Sequence, residues 1–241
     1  MHGDHREGLR KGHPCFDEGG NVMKRSEETI GTYPMPPASA EWIRARLTER
    51  YTEEKAEEKF EKINRMYESF ADQAPYIGGE KNPMSKNFYG ALSAFAYYEC
   101  MGRSLSPDEI TDMCYGMMMT GRNGRKPLER FDLNNKLVQK LFYGLFGMRA
   151  RKLNKHKADS SWNNAWGMRI NPRGHEEGIS IHLVGCPIAD FAKENGYGEL
   201  MPYFCETDKA VMEALGGTLY RDHTVADGFD ECDYWIRNKG E

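Results

Sequence analysis

No stretch of this chain is apolar for long enough to cross a bilayer. The longest, Ala91 to Tyr98, falls far short of the ~20 residues a spanning helix needs. The opening residues, MHGDHREGLRKGHP, lack the apolar segment of a secretory signal. Cysteine is sparse: six in 241 residues, at wide and irregular intervals that do not suggest a disulfide framework. No CxxC or HxxxH pair supplies two ligands from one turn, which weighs against a structural zinc site. Charge of one sign is lacking as well. Against 37 Asp and Glu stand 33 Lys and Arg, a net of -4, which gives no electrostatic case for nucleic acid or an anionic membrane as a partner. There is also no βαβ alternation, no phosphate-binding glycine loop and no internal repeat. These absences point to a reduced, cytoplasmic protein whose partner is a small molecule, with a homo-oligomer left open.

The chain is long enough for one sizeable core without staples. Residues 1–38 are rich in His, Gly, Pro and charge, and read as a polar, flexible tail. His2, His5, His13 and Cys15 fall in it. Residues 39–158 read as helical. Ser39 is placed to cap a helix running from Ala40 to Phe70, and the glycines and prolines of the Ala74 to Pro83 loop break that helix. A buried helix follows over Asn87 to Met101. Ser106-Pro107-Asp108-Glu109 then has the pattern of a capping box. An amphipathic helix spans Asp132 to Phe146, and the basic run Arg149 to Lys157 reads as a solvated linker.

From Trp162 the apolar period changes from 3.6 to 2. Trp166, Met168 and Ile170 alternate, Asn171-Pro-Arg-Gly174 turns, and Ile179, Ile181 and Leu183 alternate again. Helices are predicted over Pro187 to Asn195 and Pro202 to Leu215. A last hairpin is predicted with strands Thr218 to Ala226 and Cys232 to Arg237. The fold class is therefore α+β: a helical N-terminal half followed by a ββααββ antiparallel sheet region over 159–241, with 39–241 as one compact unit.

The chemistry-bearing residues concentrate in that last quarter. Cys186 precedes Pro187 at a predicted helix N-terminus, where free N–H groups and the helix dipole favour a thiolate. Cys205 and Asp208 share a helix face. Arg221 and His223 alternate on one side of the predicted strand, and Cys232 lies across a short turn. Such a set supports nucleophilic catalysis, a metal site or a polar ligand pocket. For each thiol, burial in the core is the simpler alternative. Cys100 and Cys114, in apolar helices, are most simply core.

Three patterns together resemble the L-2-amino-thiazoline-4-carboxylate hydrolase family: Gly-Cys186-Pro-Ile, Leu-x-Pro-Tyr-Phe-Cys205-x-x-Asp208, and Leu219-x-Arg221-x-His223-Thr224 continuing to Gly228 and Cys232-Asp233-Tyr234. The Gly78-Gly79-Glu-Lys-Asn82 loop also looks like the N-terminal half of that family. Val225 stands where Leu is expected and Tyr234 where Phe is usual. The resemblance implies a hydrolase acting on a carbon–nitrogen bond of a cyclic amidine-like substrate, with no cofactor and a divalent metal left open. On that basis Cys186, then Cys232, is the candidate nucleophile. Cys205 is the third thiol of the set, Asp208 and His223 move protons, and Arg221 and Asn82 contact substrate. A second resemblance, of the Gly-x-x-x-Cys-x-Tyr ending to four-vinyl reductase domains, implies instead a small-molecule-binding sensor without turnover.

Overall fold

The structure is a computed structural model and describes residues 33–119, 126–162 and 165–240. The tail expected over 1–38 lies outside the described residues up to position 32, and so do His2, His5, His13 and Cys15. From Tyr33 onward the chain is packed: the Tyr33 ring stacks on Tyr89 at 4.0 Å, and its carbonyl accepts from the Tyr67 hydroxyl at 2.8 Å.

Five helices come first: α1 (Pro37–Arg50), α2 (Glu53–Gln73), α3 (Ser85–Cys100), α4 (Pro107–Met119) and α5 (Lys136–Ala158). The single helix expected over 40–70 is two. Tyr51 and Thr52 leave helical geometry, with ψ of 161° and 157°, so that α2 turns back onto α1 and α3. Thr52 followed by Glu53 and Glu54 is an N-terminal signal, because acids in a first turn complement the helix dipole. Ser39 is not the cap. It lies buried within α1, which follows Pro36. The capping box of α4 forms as expected: Glu109 accepts from the Ser106 N–H at 2.7 Å, and the Glu109 N–H donates to the Ser106 hydroxyl at 3.3 Å. Methionines 113 and 117 of α4 are core.

The basic run Arg149 to Lys157 is no linker; it is the second half of α5. Ala150 and Leu153 continue the buried stripe begun by Gln139, and Arg and Lys are good helix formers. The helix starts at Asn135, whose side chain accepts from the N–H groups of Leu137 and Val138 at 2.9 and 3.4 Å.

The remainder is β1 (Gly167–Ile170), β2 (Ile179–Val184), α6 (Pro187–Asn195), α7 (Met201–Ala214), β3 (Gly217–Tyr220) and β4 (Glu231–Asn238). The sheet is antiparallel with order β1-β2-β4-β3, so the ββααββ reading holds and β4 is central. The second hairpin is shorter than expected. β3 ends at Tyr220, and residues 221–230 are a loop rather than strand. A side chain replaces the ladder there: the Asp233 carboxylate accepts from the N–H groups of Asp222 and His223 at 3.1 and 2.7 Å.

An aromatic cluster joins the helical part to the sheet part. Phe95 of α3 stacks on Phe191 of α6 at 5.9 Å and on Tyr197 at 5.1 Å, with Phe204 of α7 edge-on at 5.3 Å. None of the helices is long and apolar enough to cross a membrane among the described residues.

Candidate active site

Strand alternation decides what meets what. On β4, Cys232, Tyr234 and Ile236 face the helices, and Asp233 and Trp235 point the other way. The register pairs Cys232 with Leu183 and Tyr234 with Ile181, so Cys232 lies near the end of β2 from which Cys186 follows. Cys186 caps α6, with its sulfur accepting the Ala189 N–H at 3.5 Å. Across the gap, α7 supplies Cys205 and Asp208 one turn apart. The loop after β3 supplies Arg221 and Thr224.

Asp208 is the hub. Its Oδ2 accepts from the Tyr234 hydroxyl at 2.6 Å and from Arg221 at 2.8 Å. The other end of the Arg221 fork donates to the Cys205 carbonyl at 2.8 Å, and the guanidinium lies 5.6 Å over the Tyr234 ring. Only 3% of the Arg221 side chain meets solvent. A bidentate grip on a substrate carboxylate would therefore require this arginine to release Asp208 or the Cys205 carbonyl. The Cys232 sulfur accepts from the Val225 N–H at 3.3 Å. All three thiols are close enough for their charges to influence one another, and Arg221 and Asp208 act on both Cys205 and Cys232.

Burial dominates the titration of this cluster. It pushes Cys186 up to about 12, against the hydrogen bonds from the helix N-terminus, and so opposes the thiolate expected at that position. Burial also raises Cys205 to about 11, opposed by Arg221, and raises Cys232 against the Val225 N–H and Arg221. The Asp208 carboxyl is held above its ordinary value by burial, against the pull of Tyr234 and Arg221. Burial thus opposes ionisation of all three thiols and of the carboxyl that lies near Cys205 and Cys232.

His223 is not part of this cluster. Its N–H is bound to Asp233, its ring stacks on Phe229 at 4.1 Å, and its Nδ1 lies 3.1 Å from Arg173. Arg173 in turn pairs with Asp233 at 2.8 Å. The residue was expected on a strand face beside Arg221. Because the strand ends at Tyr220, His223 is drawn to the opposite side of β4. Asn82 is also elsewhere: buried in the loop before α3, it donates to the Ile77 carbonyl at 2.5 Å and accepts from the Met84 N–H at 2.8 Å. Tyr234 and Thr224 join the cluster without having been picked out as site residues. For Tyr234 the signal was its position two residues beyond Cys232, on the same strand face.

Among the described residues, no group of three or more His, Cys, Asp or Glu is arranged to hold a metal ion. A separate cavity of about 630 Å³ lies between α1, α3 and α4, lined by Pro37, Ser39, Lys86, Cys114 and Met117; it reaches α7 only at Phe204 and includes none of the clustered residues. Thiols, a carboxyl and a fixed cation converge at the cluster and not at this cavity.

No curated protein and no solved structure matches the chain. One family profile does, over residues 84–236, a span that runs from the residue before α3 into β4 and takes in every residue of the cluster but not Asn82. With more than half of its length matched, the chain belongs to the L-2-amino-thiazoline-4-carboxylic acid hydrolase family.

Proposed function

We propose that the protein hydrolyses a small cyclic substrate of the 2-amino-thiazoline carboxylate kind, opening its ring at a carbon–nitrogen or carbon–sulfur bond. The observation that carries this reading is the Asp208 carboxyl, held by Tyr234 and Arg221 near Cys205 and Cys232. The amidine carbon of such a ring is electrophilic, and its attack needs a nucleophile and a proton carrier.

The thiols are neutral at rest, so the nucleophile is made only as it reacts. Ionised Asp208 takes the proton of the attacking thiol as sulfur adds to the amidine carbon. It then gives that proton to the ring atom that departs. Water attacks the sulfur-bound carbon, the thiol is restored, and one water is consumed in all. Cys232 is placed ahead of Cys186 as nucleophile, because Arg221 and the Val225 N–H both favour its thiolate. Arg221 keeps positive charge at the site and fixes the Asp208 oxygen. His223 and Asn82 enter as positioning residues, one for the 221–230 loop and one for the loop before α3.

Turnover of L-2-amino-thiazoline-4-carboxylate by the purified chain, with and without added divalent metal, tests the reading. Asp208→Asn is expected to lower kcat by at least about a hundredfold, and Cys232→Ser to abolish turnover with the circular dichroism spectrum unchanged. Full activity in all three single cysteine-to-serine variants would remove the thiol from the mechanism. Saturable binding without turnover would favour the ligand-binding module of the four-vinyl reductase kind.

A further inference from the structure

The charge of the whole chain conceals an uneven distribution. Helix α5 carries seven of the 33 Lys and Arg and none of the 37 Asp and Glu. Its inner face is settled: Gln139, Ala150 and Leu153 are buried, and Asn154 exchanges two hydrogen bonds of 2.8 Å with Met168 of β1. Its outer face is not polar, as a solvated helix face should be. Leu137, Leu141, Leu145 and Met148 are 78, 55, 47 and 55% exposed. Spacings of four, four and three residues put them in one stripe along the helix.

Basic residues frame that stripe. Lys140 and Arg151 lie along one side and Arg149 along the other, and Lys152 and Lys155 continue its line towards the C-terminus. None of these five makes an ion pair among the described residues; Arg149 and Lys152 rest only against the rings of Phe146 and Trp162. Beside the helix runs an open groove of about 980 Å³ between α5 and β1, with Arg151 and Lys155 on its wall.

We propose that the outer face of α5 docks the protein on an anionic phospholipid surface, with the leucines entering the interface and the lysines and arginines meeting phosphate. Charge complementarity selects this occupant. A second copy of the same helix would set seven cations against seven, with no acid on either helix to pair them. A nucleic acid would match the charge but leave four large apolar side chains in water. An amphipathic helix with exposed leucines and unpaired basic flanks satisfies both parts at a lipid surface, lying in its plane rather than crossing it.

The test is sedimentation of the full chain with vesicles of phosphatidylcholine alone, or of phosphatidylcholine mixed with phosphatidylglycerol. Binding is expected only to the mixed vesicles and should weaken as salt is raised. Lys152→Glu with Lys155→Glu should weaken it by about a hundredfold or more. Leu141→Glu with Leu145→Glu should abolish it without changing the melting temperature, because neither leucine is buried. Failure to bind mixed vesicles at low salt would overturn the proposal. So would binding that survives the leucine substitutions, since charge alone would then explain it. Light scattering that shows a dimer dissolved by those same substitutions would also overturn it, by assigning the stripe to a second copy.

Discussion

Asp208 is tuned by a hydroxyl on the neighbouring strand. Tyr234 donates to the carboxylate at 2.6 Å, and that bond pulls the Asp208 pKa down against the upward push of burial. Tyr234→Phe removes the downward pull, so the acid limb of the pH–rate profile should move to higher pH while turnover at the plateau persists. An unmoved limb would show that Asp208 is not the titrating base. Cys114 tests the other consequence of burial. It is fully enclosed in α4 and its thiol is raised from 9.0 to about 12. The folded chain keeps that proton where the unfolded chain has lost it, so stability falls as pH rises between those values. The slope approaches about 1.4 kcal/mol per pH unit. Urea unfolding of Cys114→Ala above pH 9 should show a correspondingly flatter decline than the parent. At this scale the sequence was informative about identity and poor about state. Cys186, Cys205, Asp208, Arg221 and Cys232 do gather, but a helix N-terminus suggested a thiolate that three-dimensional burial suppresses.

Elements were legible where the pattern was local. The capping box, the Asn171 turn and the period-2 strands depend on neighbours in the chain, and each appears where its residues placed it. What failed depended on distant contacts. The first strand of the last hairpin is expected to run six residues too far, from Arg221 to Ala226, because nothing in the local pattern shows that the Asp233 carboxylate will take two backbone donors there. His223 was misplaced with it. Close helix contacts are equally invisible in a pattern of apolar residues. Gly116 lets α4 approach α1 so nearly that a Cβ there would fall 2.0 Å from the Trp42 indole nitrogen. Gly116→Ala should therefore destabilise by about 1–3 kcal/mol, although alanine is the better helix former. A stabilised variant in thermal unfolding would mean that Trp42 has room to move.

At the scale of the molecule, the aromatic cluster around Phe95, Phe191 and Tyr197 ties α3 to α6 and the segment that follows it. Residues from Tyr33 to Gly240 belong to one compact unit. Unfolding should be a single transition by far-ultraviolet circular dichroism and tryptophan fluorescence alike. Phe191→Ala should lower stability by about 3–5 kcal/mol. It should shift both signals together. Two separated transitions would show that the helices hold without the sheet.

The central place of β4 bears on the order in which the protein is made. A ribosome delivers β1, β2 and β3 before it; until β4 emerges to fill the space between β2 and β3, β2 keeps one unpaired edge and β3 has no partner strand. The same strand brings Cys232 and Tyr234 to partners synthesised earlier. A nascent chain halted short of Glu231 would thus present two sticky sheet edges and a carboxyl without its tyrosine. Both the closed sheet and the Asp208 cluster wait on the same eight residues.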